Sequence, residues 1–142
     1  MAYDPLDPFT LVQYGNQAQQ LRRQYGQGLA RNDYSKAQLG IRHQMAQDDL
    51  GQQFFDYRQQ LPGGFAGRGL LNSGLYKHAL EQYSSRKLQG QNKLQFEYSS
   101  QLGDLGLNRL GLEETYSGGL SDLEAEKQAR RAQLAAQLRE LG

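Results

Sequence analysis

The residues able to do chemistry are few and scattered. His43 and His78 are the only histidines among 142 residues, and there is no cysteine. Structural and catalytic metal sites need several His, Cys or carboxylate ligands that converge. His43 lies in Arg42-His43-Gln44 and His78 in Lys77-His78-Ala79. A cation precedes each, and no second histidine stands at ligand spacing, so both are read as surface or interhelix packing residues. Glu113-Glu114 could suggest a carboxylate pair, but adjacent residues of a helix point to different faces. Ser73, in Asn72-Ser73-Gly74, lacks the strand–turn–helix setting of a nucleophile elbow and is read as a cap. Gly67-Arg68-Gly69 is followed by no Gly-Lys-Ser/Thr, so it is not a phosphate loop. The pairs Arg22-Arg23 and Arg130-Arg131 are too sparse for a nucleic-acid footprint. The expectation is a protein that is not an enzyme, with no catalytic residue, cofactor or metal.

Composition says what elements carry these side chains. Val12, Ile41, Thr10 and Thr115 are the only β-branched residues. A sheet covers its pleated faces with such residues, so four of them predict an all-α chain. The 21 Gln and 23 Leu, with a mean hydropathy of −0.81, fit long helices with narrow apolar stripes and wide amide-rich faces. Such helices are marginal alone and stable when bundled. The net charge of +1 argues against a strongly basic nucleic-acid-binding surface. The arrangement allows proximity to DNA without sequence-specific binding. No apolar run is long enough for a membrane span, and the acidic, Pro-containing start does not read as a signal peptide.

Along the chain, residues 1–8 read as an extended lead-in, because Pro5 and Pro8 bias Asp4 and Asp7 away from helix. Asp7 can cap a helix whose first position is Pro8. One long helix is predicted over 9–61, ended by Pro62. The stretch 62–70, with Gly63, Gly64, Gly67 and Gly69, is predicted to be a non-helical turn, since glycine supplies positive φ angles. If all four glycines serve that purpose, replacing them with Ala should impair assembly. Asn72 or Ser73 then caps a second helical arm over 71–142, made of a helix over 71–117, a break near 118–120 at Gly118-Gly119, and a last helix over 121–141. Ser121-Asp122-Leu123-Glu124 reads as a capping box for that last helix.

The stripes are spaced for helix packing. In the first helix they include Tyr14, Leu21, Tyr25, Leu29, Ile41 and Met45, continuing through Leu50, Phe54, Tyr57 and Leu61. In the second they include Leu94, Tyr98, Leu102, Leu105 and Tyr116. Leu107 and Leu110 fall beside the line. Gln13-Tyr14-Gly15 recurs eleven residues on as Gln24-Tyr25-Gly26, and Leu94, Leu105 and Tyr116 are eleven apart. A period of eleven favours straight or slightly right-handed packing. Gly15, Gly26, Gly28, Gly40, Gly51, Gly90, Gly103, Gly106 and Gly111 lie inside these helices at about 1 kcal/mol each relative to Ala, so partner helices are expected. A two-helix hairpin covers one stripe only. The expected architecture is therefore a long helical hairpin in an oligomeric bundle, with Leu105 and Leu110 substantially covered only by neighbouring chains.

Residues 67–76, Gly-Arg-Gly-Leu-Leu-Asn-Ser-Gly-Leu-Tyr, stand between two Gln/Ala/Leu-rich helices. This arrangement resembles small helical virion proteins of tailed bacteriophages, in which a long helix meets an Arg-Gly-Leu-x-x-Ser-Gly turn and a second helix returns. Arg68, Gly69, Leu71, Ser73 and Gly74 carry the likeness. It implies a virion location, many copies, symmetry, and other virion proteins of the tail, tail tip or portal region as partners. Some such proteins are structural. Others are internal and leave with the DNA to form a conduit at the host envelope. A non-viral coiled-coil adaptor is the reading outside that resemblance.

Overall fold

A computed structural model describes residues 4–67, 69 and 74–142. Nearly all of them are helical, and there is no strand among the described residues. There are two helices, α1 (Pro8–Ala66) and α2 (Gly74–Leu141). The chain divides into two compact units, one formed by residues 1–33 with 106–142 and the other by residues 34–105. In each, a stretch of α1 lies antiparallel to a stretch of α2.

The start of α1 follows its local chemistry. The Asp7 carboxylate accepts the Thr10 N–H at 2.6 Å, and the Asp7 carbonyl accepts the Leu11 N–H at 3.1 Å. Pro8, which has no N–H to lose, takes the first helical position.

The end of α1 differs from the sequence expectation. Pro62, Gly63 and Gly64 are helical, and the helix continues to Ala66. An interior proline removes one helical hydrogen bond and crowds the preceding turn. Packing offsets that here: Leu61 is only 9% exposed, and Phe65 meets Tyr76 edge-on at 5.3 Å. The reversal starts later, with the Gly67 N–H on the Gly63 carbonyl and the Gly69 N–H on the Ala66 carbonyl. Gly69, at φ +69°, is the only positive-φ residue among those described. Arg68, Asn72 and Ser73 lie outside the described residues, as does Leu71, and Gly74 opens α2.

The four glycines of the turn are therefore not equivalent. Gly69→Ala is expected to cost about 1–2 kcal/mol from left-handed strain. Gly63→Ala and Gly64→Ala should each gain about 1 kcal/mol of helix propensity. Thermal unfolding of the three single variants checks the opposite signs.

The expected break at 118–120 is absent. Gly118 and Gly119 are helical, and α2 is continuous. Ser121 therefore caps nothing, and Glu124 instead accepts from Gln128 at 2.9 Å and pairs with Lys127 at 3.8 Å.

Both units have thin cores. Leu6, at 4% exposure, and Leu61 are the buried apolar residues among those described, and Asn32, at 6%, is the buried polar one. The rest of the seam is half-buried, as two helices without a third layer require.

Candidate functional site

The site of interest is the surface each helix presents to another. In α1 the half-buried and buried positions recur every eleven residues: Asn32, His43, Phe54 and Phe65 form one column, and Leu39, Leu50 and Leu61 another. In α2 the matching column is Tyr83, Leu94 and Leu105; in the other unit Tyr116 and Lys127, at the same spacing, are half-buried. Three turns of helix take nearly eleven residues, so such a column stays on one face without supercoiling.

In the unit of residues 34–105 the seam is largely aromatic. His43 stacks on Tyr98 with ring centroids 4.2 Å apart. Phe54 meets Tyr83 edge-on at 5.6 Å, and Tyr57 stacks beside it at 6.1 Å. Leu50 sits on Gly90, where a Cβ would come within 3.2 Å of its methyls. Offset and edge-to-face ring pairs add about 0.5–1.5 kcal/mol beyond their buried area, a useful contribution where little else is fully buried.

In the unit of residues 1–33 and 106–142, Tyr25 and Tyr116 stack at 4.7 Å with planes 4° apart. Gly28 receives Leu112, and Gly119 receives Leu21; a Cβ on either glycine would stand 2.7 and 2.9 Å from the leucine methyls. The Asn32 amide donates to the Asn108 carbonyl oxygen at 3.1 Å. Leucine opposite glycine is thus the repeated local device that brings the two backbones close. Of the helix glycines singled out from the sequence, Gly28 and Gly90 serve it. Gly15, Gly26, Gly40, Gly51, Gly103, Gly106 and Gly111 have open space where a Cβ would go.

The same unit holds the lead-in. Arg131 donates from Nε to Asp4 Oδ1 at 3.1 Å and from Nη2 to Oδ2 at 2.9 Å. The Leu6 N–H also donates to Asp4 Oδ1, at 3.0 Å. The Leu6 amide first, and Arg131 second, hold the Asp4 carboxyl below the usual carboxylate range. A depressed carboxylate contributes its stability above the unfolded value and loses it as pH falls through the lowered folded value. The clasp should therefore stay closed at neutral pH and open in the acidic range below an ordinary Asp value of about 3.9. Faster exchange of the Leu6 amide over that interval, abolished as a pH effect in Asp4→Asn, is the expected signature.

Other candidate residues are placed apart from one another. His78 is exposed and contacts Gln82 at 3.1 Å, while Glu113 pairs with Arg109 at 3.6 Å across solvent. No group of three or more His, Asp or Glu that could hold a metal occurs among the described residues. The groove beside the seam at Tyr34, Gln38, Arg42, Gln101 and Asp104 collects amides and one charge of each sign. No helix is long and apolar enough to cross a membrane among the described residues.

The proposed packing residues divide. Tyr14, Leu21, Tyr25, Leu29, Leu94, Tyr98, Leu102, Leu105 and Tyr116 are half-buried within the chain, whereas Ile41, Met45 and Leu110 are exposed. Within the chain Leu105 is half-buried and Leu110 is exposed. Ile41 and Met45 do not continue the line of Tyr25 and Leu29. The seam passes instead through Leu39, His43, Ala46 and Leu50, and Ile41 lies two residues from both Leu39 and His43. At 3.6 residues per turn, two residues turn about 200°, so Ile41 belongs to the opposite face. Asn32, Asn108 and the Asp4–Arg131 clasp were missed from sequence. Only Asn32's place eleven residues before His43 hinted at the first of these.

Comparison with family models, with curated proteins and with solved structures yields no match.

Proposed function

We propose that this chain is a structural virion component of a tailed bacteriophage, a helical assembly protein of the tail, the tail tip or the portal-proximal region. It acts in several copies, without catalysis. The observation that carries the reading is the distribution of apolar surface. Each unit has only two helices, and large side chains including Val12, Tyr34, Ile41, Met45, Leu88, Phe96, Leu107 and Leu110 are exposed. Surface of that extent marks an interaction surface. The turn that resembles those of phage helical proteins supplies the setting. Its partners are further copies of the chain and neighbouring virion proteins, and DNA is at most adjacent, met without sequence-specific contacts.

Quantitative mass spectrometry of purified virions, before and after DNA release, tests this. Several copies per particle, retained after emptying, are expected. Absence from the particle would overturn the reading. Loss on emptying would replace it with that of an internal protein ejected with the DNA.

A further inference from the structure

The lead-in ahead of α1 holds the least exposed residue described. Leu6 is 4% exposed, although it lies in neither helix. Asp4 is tied beside it by three hydrogen bonds, from Arg131 Nε at 3.1 Å, Arg131 Nη2 at 2.9 Å and the Leu6 N–H at 3.0 Å. Charge matches as well, since Asp4 faces Lys127 and Arg131, and Asp7 faces Arg130. All these residues belong to the unit of residues 1–33 and 106–142.

Register locates the segment along α2. Leu21 sits on Gly119, and Leu112 on Gly28. Counting on at that register puts Pro8, the first residue of α1, level with Ala132. Because α2 continues to Leu141, its last turns have no part of α1 opposite them. Four residues running straight on would carry Asp4 about 13 Å beyond Pro8. Its carboxylate instead meets Arg131, level with the start of α1, so the segment is folded over the end of the helix pair. On α2, Leu134 and Ala135 share a face with Lys127 and Arg131 at steps of three and four, and all four are half-buried. Leu138 and Leu141, next along that face, are 47% and 85% exposed. Cover on α2 thus ends at the level of the folded segment.

From this geometry we infer that residues 4–7 are a releasable strap, closed by Leu6 and the Asp4–Arg131 clasp over the α2 turn of Leu134 and Ala135. When the strap lifts, Leu134, Ala135, Leu138 and Leu141 form one continuous apolar stripe at the end of α2. The strap therefore sets how much apolar surface this end of the unit presents.

The construction suits opening and reclosing. One buried side chain and one clasp hold the strap. The clasp is open to water, with the Arg131 side chain 26% and the Asp4 side chain 38% exposed, so salt screens it. Lifting the strap does not dismantle α1. The Asp7 carboxylate and carbonyl, which accept the Thr10 and Leu11 N–H groups, are part of the first turn and stay with it. Movement is confined to the residues before Asp7. Reclosing orders little: Pro5 has a fixed φ, and the bond between Asp4 and the Leu6 N–H forms inside the segment, so less freedom is left to lose.

Thiol labelling of the full chain with N-ethylmaleimide tests this, because the chain has no cysteine of its own. Ala135→Cys reports on the turn under the strap, Leu138→Cys on the turn beyond it, and Leu123→Cys on a seam position half-buried like Ala135. With the strap intact, Ala135→Cys should react more slowly than Leu138→Cys and faster than Leu123→Cys, since the strap opens locally while the seam stays shut. Adding Leu6→Asp should speed Ala135→Cys about tenfold, as when a state open about a tenth of the time is held open. Leu123→Cys should not change. Asp4→Lys reverses the charge of the clasp without touching Leu6 and should act in the same direction. Unchanged labelling of Ala135→Cys in either strap variant would overturn the inference. Equal acceleration at Leu123→Cys would also overturn it, by making Leu6 part of the unit's core. So would equal rates at Ala135→Cys and Leu123→Cys with the strap intact, which would mean that it opens only when the unit unfolds. None of these outcomes bears on the virion setting.

Discussion

Replacing Gly15, Gly26, Gly51, Gly106 and Gly111 together by alanine is expected to stabilise the chain by about 4–5 kcal/mol. Each lies inside a helix and is exposed, and a Cβ there would meet nothing within 4 Å. Glycine costs a helix interior about 1 kcal/mol relative to alanine, and well-separated sites add. The same change at Gly28, Gly90 and Gly119 should behave differently. There a new methyl would stand 2.7, 3.2 and 2.9 Å from the side chains of Leu112, Leu50 and Leu21. Overpacking of that kind costs about 1–3 kcal/mol per site, which offsets the propensity gain, so this set should gain little or nothing. Denaturant unfolding of the two variant sets at low protein concentration gives the comparison. Equal gains in both sets would mean that leucine against glycine does not hold the helices close.

The second large effect is expected at Asn32. Asn108→Leu removes one acceptor of the Asn32 amide, the Asn108 carbonyl oxygen at 3.1 Å, from a side chain only 6% exposed. Losing a partner of a buried polar group costs about 1–3 kcal/mol. Asn32→Leu with Asn108→Leu should recover that loss, because two apolar groups of similar shape can replace a polar pair at little cost. What the double variant should lose is uniqueness of register. A single buried polar pair is the best-attested device for fixing alignment between helices, and eleven-residue columns of Leu and Tyr could otherwise slide by a whole repeat. A Cys pair at Tyr25 and Tyr116, whose rings stack at 4.7 Å, reads the register. Rapid, complete disulfide formation is expected with the asparagines present, and a slower, mixed outcome without them. Undiminished formation in the double variant would assign register to the seam's shape alone.

Both expectations bear on how the seam and the outward faces share the work. Leu21, Leu50 and Leu112 spend their burial within the chain, whereas Ile41, Met45, Leu88 and Phe96 do not. A substitution at the first group should be felt at any protein concentration. One at the second should be felt only where copies meet. Concentration dependence of the unfolding midpoint therefore separates the two groups without any structural measurement.

Much of the helical character was legible in the residues alone. Four β-branched side chains cannot cover a sheet, and Asp7-Pro8 supplies both a cap and a first helical residue. Of the glycines expected to turn the chain, Gly69 takes φ +69°, whereas Gly63 and Gly64 are helical. The eleven-residue spacing of Leu94, Leu105 and Tyr116 was also visible, and all three lie in the seam.

Tertiary structure decided the rest, for two physical reasons. Local signals for ending a helix are worth about 1–3 kcal/mol, and contacts on either side can exceed them. Thus Pro62 is carried between Leu61 and Phe65, while Gly119 is kept in α2 with Leu21 seated on it. The second reason is geometric. Each helix carries two uncharged stripes of the same period, such as Leu39-His43-Leu50 and Tyr34-Ile41-Met45. An offset of two residues separates them by about 200° around the axis, so a count along the sequence passes from one to the other unnoticed. Which stripe is the seam depends on what the opposite helix presents at the same level. For α1 the answer lies forty or more residues away in sequence, in Tyr98 against His43 and Gly90 against Leu50.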